Sequence, residues 1–323
     1  MKKSTKILLI VALSLVLLGC VVFLIYMSAN HWNLDRSNSV QMVTTKVEIP
    51  EDFRSITVRS ETEIITFLPS ENGKCEVVFN EWEEGRHTAE VHSGTLTVGL
   101  VGEVKWLDVI LPDPFDAATI TVYLPKREYD SLLIEESTGS ITIPEDFRFG
   151  SMELRLSTGT VRCGASAEGL LRIKSATGAV LLEELSAGEL DLSTSTGSVG
   201  LSSVACKGSV SLSVTTGKAE LTNVTCKNLR SDGSTGKLVL NSVVAAEELS
   251  VTRSTGSVEL NGCDAGSISI ETDTGSVTGS LLTDKIFYAQ SDTGKVDVPR
   301  TVTGGICEIR TDTGNIRIEI SPN

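Results

Sequence analysis

The sequence predicts an all-β protein, a β-solenoid of about ten coils of 19–20 residues behind one N-terminal transmembrane helix. Three observations predict it. A Thr-Gly dipeptide returns ten times at near-constant spacing, the mark of a repeat architecture. Around each copy apolar and polar residues alternate with period two, the pattern of strands with one buried and one wet face. Ahead of the repeats lies one long uncharged apolar run. The chain has 323 residues and 40% apolar content, enough for a sizeable core. It carries 42 acidic against 28 basic residues, a net charge of −14. That balance speaks against nucleic-acid binding and against a polybasic grip on anionic lipid. The only histidines are His31, His87 and His92, so the last two thirds lack the commonest general base and metal ligand.

Residues 1–6 read as a cytoplasmic N-terminus and 7–27 as a transmembrane anchor. The run Ile7 to Met27 holds 21 residues without a charge, and about 20 apolar residues span a bilayer as a helix. Lys2, Lys3 and Lys6 precede it, so positive-inside orientation places the N-terminus in the cytoplasm and residues 28–323 outside. Tyr26 and Trp32 fit an interfacial aromatic belt. Two other readings compete. A cleaved signal peptide has a shorter apolar run, of roughly 7–15 residues. Leu17-Leu18-Gly19-Cys20 loosely matches a lipoprotein cleavage box, but Val21 to Met27 continues the apolar run. All three readings put the bulk of the chain outside the cytoplasm. The exported part keeps 25 bases and 42 acids, or −17.

Residues 28–43 read as a linker. Residues 44–125 read as irregular first coils that cap the membrane-proximal end, with Trp82 and Trp106 as core or cap residues. Phe53-Arg54-Ser55-Ile56-Thr57-Val58 parallels Phe149-Gly150-Ser151-Met152-Glu153-Leu154 and Tyr129-Asp130-Ser131-Leu132.

Residues 126–323 are the repeat domain. The repeated glycines are Gly139, Gly159, Gly178, Gly197, Gly217, Gly236, Gly256, Gly275, Gly294 and Gly314, spaced 19 or 20 apart. Two residues after each glycine stand Ile141, Val161, Val180, Val199, Ala219, Leu238, Val258, Val277, Val296 and Ile316, with a second mostly apolar set two further on. The glycine marks a turn, because it reaches positive φ without a Cβ clash. A coil of this length has contour for two or three short strands. Stacked parallel coils are the main reading and an antiparallel array of hairpins the alternative. Like residues at like register favour stacking: Asp273, Asp292 and Asp312 share one position, and Cys206 and Cys226 another. Ten coils at about 4.8 Å make a rod near 50 Å long. Its far end, Ile316, Ile318 and Ile320 before Ser321-Pro322-Asn323, has little cover, so an oligomer through this C-terminal edge is a candidate.

Thr121-Val122-Tyr123-Leu124-Pro125, Tyr129-Asp130-Ser131-Leu132 and the Ser/Asp-Thr-Gly series to Gly314 carry a resemblance. Over about residues 45–320 the chain resembles the bacterial β-strand-repeat family labelled "putative adhesin", a domain of unknown function. The resemblance implies a right-handed β-helix-like fold, often behind a single membrane anchor in a bacterial envelope. The label implies attachment at the cell surface, and some relatives are linked to envelope-stress signalling. No functional residue carries over, because the shared residues are turns and core.

Candidate chemistry is sparse. Asp-Thr-Gly is also the aspartic-protease signature, but here the Asp exchanges with Ser at a repeated corner and reads as a turn cap. The Asp273, Asp292 and Asp312 column is a candidate cation site; an outward solvated column is the favoured reading. Cys206 and Cys226 are the best candidate disulfide, against buried free thiols as the main reading for the six exported cysteines. No catalytic residue and no cofactor is expected. The expectation is a non-enzymatic cell-surface module, adhesin-like or scaffolding, with an unknown glycan or protein ligand. The alternative is an extracytoplasmic sensor or modulator of envelope stress acting through a membrane partner.

Overall fold

The structure is a computed structural model that describes residues 12, 14, 16–24, 27–28, 42–81, 87–100 and 118–321. It divides into two compact units, Met1–Val43 and Thr44–Asn323. In the first unit the described residues between 12 and 28 are helical, with one unbroken run over 16–24. Among the described residues no helix is long and apolar enough to cross a membrane, so the expected span over 7–27 is not shown. Lys2, Lys3, Lys6, Tyr26, Trp32, Trp82, Trp106, Pro322 and most of the 28–43 linker lie outside the described residues.

The second unit is all β. Seven short strands come first: β1 (Val43–Ile49), β2 (Ser55–Ser60), β3 (Ile64–Pro69), β4 (Cys75–Glu81), β5 (His87–His92), β6 (Thr95–Leu100) and β7 (Thr119–Leu124). The repeats supply β8 (Glu128–Ile143), β9 (Arg148–Cys163), β10 (Ser166–Glu183), β11 (Ser186–Cys206), β12 (Ser209–Thr216), β13 (Ala219–Thr235), β14 (Leu238–Thr255) and β15 (Val258–Thr274). Five shorter strands close the unit: β16 (Val277–Leu281), β17 (Lys285–Thr293), β18 (Val296–Asp297), β19 (Gly305–Thr313) and β20 (Ile316–Ile320).

From β8 to β15 each coil pairs in parallel with the next, like residue on like residue, as in Gly139↔Gly159, Gly159↔Gly178 and Gly178↔Gly197. Parallel pairing selects the solenoid and eliminates the hairpin array. In one coil Leu171, Ile173, Val180, Leu182, Leu185 and Ala187 point inward, and the same positions recur in its neighbours to build one continuous apolar core.

The Thr-Gly dipeptide is a corner without a break in pairing. Hydrogen-bonded register runs through it, Thr177↔Thr196, Gly178↔Gly197, Ala179↔Ser198. The alternation changes phase there: Ser175 and Val180, an odd number of residues apart, are both buried. Gly178 has φ +141°, and a Cβ on it would lie 1.7 Å from the carbonyl oxygen of Gly159. The corner therefore needs glycine for conformation and for space. Two further corners complete the coil. One is a left-handed residue six after the glycine, in Glu184, Ser203, Asn223, Ser242 and Gly262. The other is a second glycine column, where a Cβ on Gly169 would approach Gly150 O and one on Gly208 would approach Gly188 O.

All ten repeat glycines stand in one column, but not in chain order. A Cβ on Gly314 would strike Gly275 O, and one on Gly294 would strike Gly314 O. The pairings agree. β15 pairs with β19, which pairs with β17, while β16 pairs with β20, which pairs with β18. After β16 the chain thus lays down the outermost layer, β17–β18, and then returns to fill the gap with β19–β20. This corrects the expected end of the rod. Ile316 and Ile318 are buried, between β16 on one side and β18 on the other, and the open edge belongs to β17 and β18. The physical reason is that neighbouring layers offer the same inward pattern, so stacking order does not have to follow chain order.

The N-terminal end uses the same device. β2 and β3 form the layer beneath β8, through Ile56↔Leu132 and Ile65↔Ile141. Outside them lie β6 and β7, which come later in the chain, through Ile56↔Leu96 and Ile65↔Ile120. The outer edges of β6 and β7 are then paired by antiparallel β5 and β4. Phe53, Tyr129 and Phe149, parallel in the sequence, stack as rings at centroid distances of 5.9 and 5.7 Å.

Candidate functional site

The strongest candidate is a groove of about 830 Å³ on the face that leads into the Thr-Gly corner. Its axis follows the stack. One outward column of the parallel ladder supplies its charge, Arg59↔Glu135↔Arg155↔Lys174↔Ser193. Residues 97–100 of β6 form one wall, and Ser137, Ser157, Ser193 and Ser195 add hydroxyls from three layers. Stacking identical positions about 4.8 Å apart turns a residue choice made once per coil into a linear array.

Glu135 is clamped from both sides, by Arg59 Nε at 2.9 Å and Arg155 Nη1 at 2.7 Å. Hydrogen bonds from the two guanidinium groups, Arg59 first, hold its carboxyl below the usual range. Arg155 also meets Glu153 at 2.9 Å. Lys174 is the next rung and has no ion-pair partner among the described residues. The groove therefore sets Arg59, Arg155 and Lys174 against Glu61, Glu135 and Glu136, with Lys174 as the cation left for a ligand.

The groove floor joins a buried polar cluster. Glu136 and Ser60 both line the groove and hydrogen-bond to each other. Burial, with Glu63 nearby adding to it, pushes the Glu136 carboxyl up to about 7. Glu63 Oε2 accepts the backbone N–H groups of Glu61 and Thr62 at 2.8 and 2.7 Å. Behind it His87 Nε2 lies 3.5 Å from Glu63 Oε1, and His87 Nδ1 lies 2.6 Å from Glu81 Oε2. The side chains of Glu63, Glu81 and His87 are all at most 3% exposed. Sequence reading missed this cluster. One signal was available: Glu136 stands at an inward position, in register with Leu156. Its partners come from the end of β2, the turn before β3 and the ends of β4 and β5, which chain order does not place together.

A second charged residue enters the same inward column. Arg253 is 2% exposed, and its Nη2 donates to Ser231 Oγ at 2.7 Å. It fills space that Gly233 leaves, since a Cβ there would lie 1.6 Å from Nη1. Burial lowers its pKa, opposed by the charge of Asp232.

The sequence candidates take simpler places. Asp273, Asp312 and Asp292, in that spatial order, are exposed at one corner. Among the described residues no group of three or more His, Cys, Asp or Glu side chains is placed to hold a metal ion. Cys206 and Cys226 sit on neighbouring coils beyond the pair Ala205↔Thr225, but both are free thiols. This corrects the disulfide candidate. Cys206 Sγ turns to the carbonyls of Gly188 and Ser209, each at 3.5 Å, and not to its neighbour. Burial pushes the thiols of Cys75, Cys163, Cys226 and Cys307 up to about 12, which leaves them protonated and unreactive at neutral pH.

Among solved structures the chain is similar to a "putative lipid binding protein" from Parabacteroides distasonis, at 14% identity and TM-score 0.49, covering 87% of this chain and 98% of that one. It is similar to a "putative adhesin" from Parabacteroides merdae, at 13% identity and TM-score 0.44, covering 87% and 97%. A third is a "putative adhesin" from Bacteroides fragilis, at 12% identity and TM-score 0.42, covering 86% and 97%. No curated protein matches the chain. Residues 53–213, from just before β2 into β12, match and belong to the Toastrack DUF4097 family.

Proposed function

We propose that this chain is a non-enzymatic β-repeat binding module of the cell surface, and that the groove over Arg59, Glu135, Arg155 and Lys174 is where it holds an extended polar ligand, a glycan or a protein segment. The carrying observation is the ladder itself. Equivalent outward positions in successive layers form a charged and hydroxyl-lined track along the stack, suited to a linear polymer with a repeat of its own. The one raised carboxyl on its floor, Glu136, has Glu63 buried behind it.

The uncharged run at 7–27 and Lys2, Lys3 and Lys6 support an uncleaved membrane anchor with the solenoid outside the cytoplasm. Protease protection in sealed membrane vesicles of known sidedness tests it: cleavage of the solenoid from the cytoplasmic side rejects the orientation. For the groove, the full chain is applied to arrays of bacterial and host surface glycans and to immobilised cell-surface protein. Lys174→Ala combined with Arg155→Ala is expected to lower the signal at least about tenfold, about 1.4 kcal/mol. Unchanged binding by that variant rejects the groove as the site.

A second reading, a sensor of envelope conditions acting through a membrane partner, is favoured by Glu136, which titrates near neutrality at the groove floor. Recovery of a kinase or regulator from membranes, at pH 6 but not at pH 8, would support that reading over the first.

A further inference from the structure

We propose that the open C-terminal end of the solenoid is a self-association surface, on which a second copy of this chain docks end to end through a two-fold axis on β17–β18. Four observations carry it.

The outermost layer has an unpaired edge. Among the described residues β17 pairs only with β19, and β18 only with β20. A parallel edge of this kind exposes a row of backbone N–H and C=O groups that template another strand. At the opposite end the corresponding edges, those of β6 and β7, are paired by β5 and β4.

The apolar core also runs out into solvent here. Phe287, Ala289 and Val298 are only partly buried where their counterparts in inner layers are covered on both sides. Among the described residues, the exposed large hydrophobic residues of the second unit are Val244, Tyr288, Val296, Val302 and Ile306. Four of those five lie in the last two layers and the loop between them, with Tyr288 at 61%, Val296 at 43%, Val302 at 86% and Ile306 at 53% exposure. Scattered exposed apolar residues need no explanation, whereas a cluster at an open edge marks an interface.

Charge selects the occupant. The chain carries −14, so two copies repel wherever their acidic flanks meet. The outermost layer is balanced: Asp292 and Asp297 stand beside Lys295 and Arg300, all exposed. A two-fold contact is isologous, so the bases of one copy meet the acids of the other while the acidic bodies lie as far apart as a rod allows. A foreign strand or a lipid surface would gain the same apolar contact without using this balance.

The test is sedimentation velocity of the full chain in density-matched detergent from about 1 to 100 µM, a range that brackets micromolar affinity. A monomer–dimer equilibrium is expected. Tyr288→Asp and Val302→Asp, the two most exposed of these positions, should each raise the dissociation constant at least about tenfold. Val244→Asp, an exposed apolar residue of an inner layer, should leave it unchanged. A photoreactive phenylalanine analogue at Tyr288 should give a product of twice the chain mass, with the crosslink mapped to residues 285–304 of the second copy. The proposal is overturned by a monomer at every concentration. It is also overturned if both aspartate variants dimerise as the parent does, or if the Tyr288 crosslink lands on lipid, on another protein or elsewhere in the chain.

Discussion

The two ends of the solenoid are built alike and finished differently. At each end the outermost layer is not the first or last stretch of the repeat. β6–β7 lie outside β2–β3, and β17–β18 lie outside β19–β20. At the N-terminal end the outer layer is then paired by antiparallel strands and backed by large buried rings, Phe53, Phe67, Phe79, Phe147 and Phe149. At the C-terminal end the last layer offers Phe287 and Ala289, half-covered, and no further strand among the described residues. A solenoid layer is stable only as far as its two neighbours bury its faces. The comparison therefore separates an outer layer that gains antiparallel partners from one that gains none among the described residues.

The largest effect should come from removing β19–β20. A stop after Asp297 deletes a layer from inside the stack and leaves β17–β18 without a partner. Hydrogen exchange should then show loss of protection over residues 282–297 while β8–β13 keep theirs. Retained protection of β17 would mean the coils stack in chain order after all.

The aromatic stack comes next. Tyr129→Ala removes a buried ring between Phe53 and Phe149, together with the bond from its hydroxyl to Pro125 O. It should cost about 3–5 kcal/mol in denaturant unfolding. Phe287→Ala at the open end should cost only about 1–2 kcal/mol, because the ring is already part-exposed. Equal costs would erase the distinction between the ends.

Glu136 sharpens the comparison through pH. Its carboxyl is raised by burial from 4.5 to about 7. The protonated form is the one the fold favours, so its contribution is full below pH 4.5 and is lost as pH climbs through 7. Glu136→Gln should therefore stabilise the protein at pH 8 by about 2–3 kcal/mol and do little at pH 4.5. A benefit that grows toward acid would reverse this account of the cluster.

The smallest effect is a null. With the thiols of residues 28–323 free, a reductant should leave the melting temperature unchanged, and denatured, unreduced protein should titrate six thiols in that stretch. A drop of several degrees on reduction would restore the Cys206–Cys226 bridge.

Much of the fold was legible. The repeat, its inward positions and the glycine column follow from spacing and parity, and Phe53, Tyr129 and Phe149 were already parallel in sequence before they proved to be a stack. The site was legible only in fragments. Glu136 breaks the inward alternation, and Arg253 does so six layers away, so each announces a buried charge. The groove's cations, Arg59, Arg155 and Lys174, stand at outward positions, like any solvated residue of a strand. Nothing in their spacing shows that β6 would wall them in, because β6 arrives from a later layer.

By itself the chain determined what every coil must look like. A period-two pattern decides which side chains turn inward, and a corner that passes close under the previous carbonyl admits no Cβ. Those are local constraints, written in each repeat. Tertiary structure decided the order of the layers, the partners of Glu136 and which edge stays open. Neighbouring coils present nearly the same surface to one another, so local pattern is almost indifferent to which coil lies next; only the summed burial of whole layers and the covering of the ends distinguishes one stacking from another.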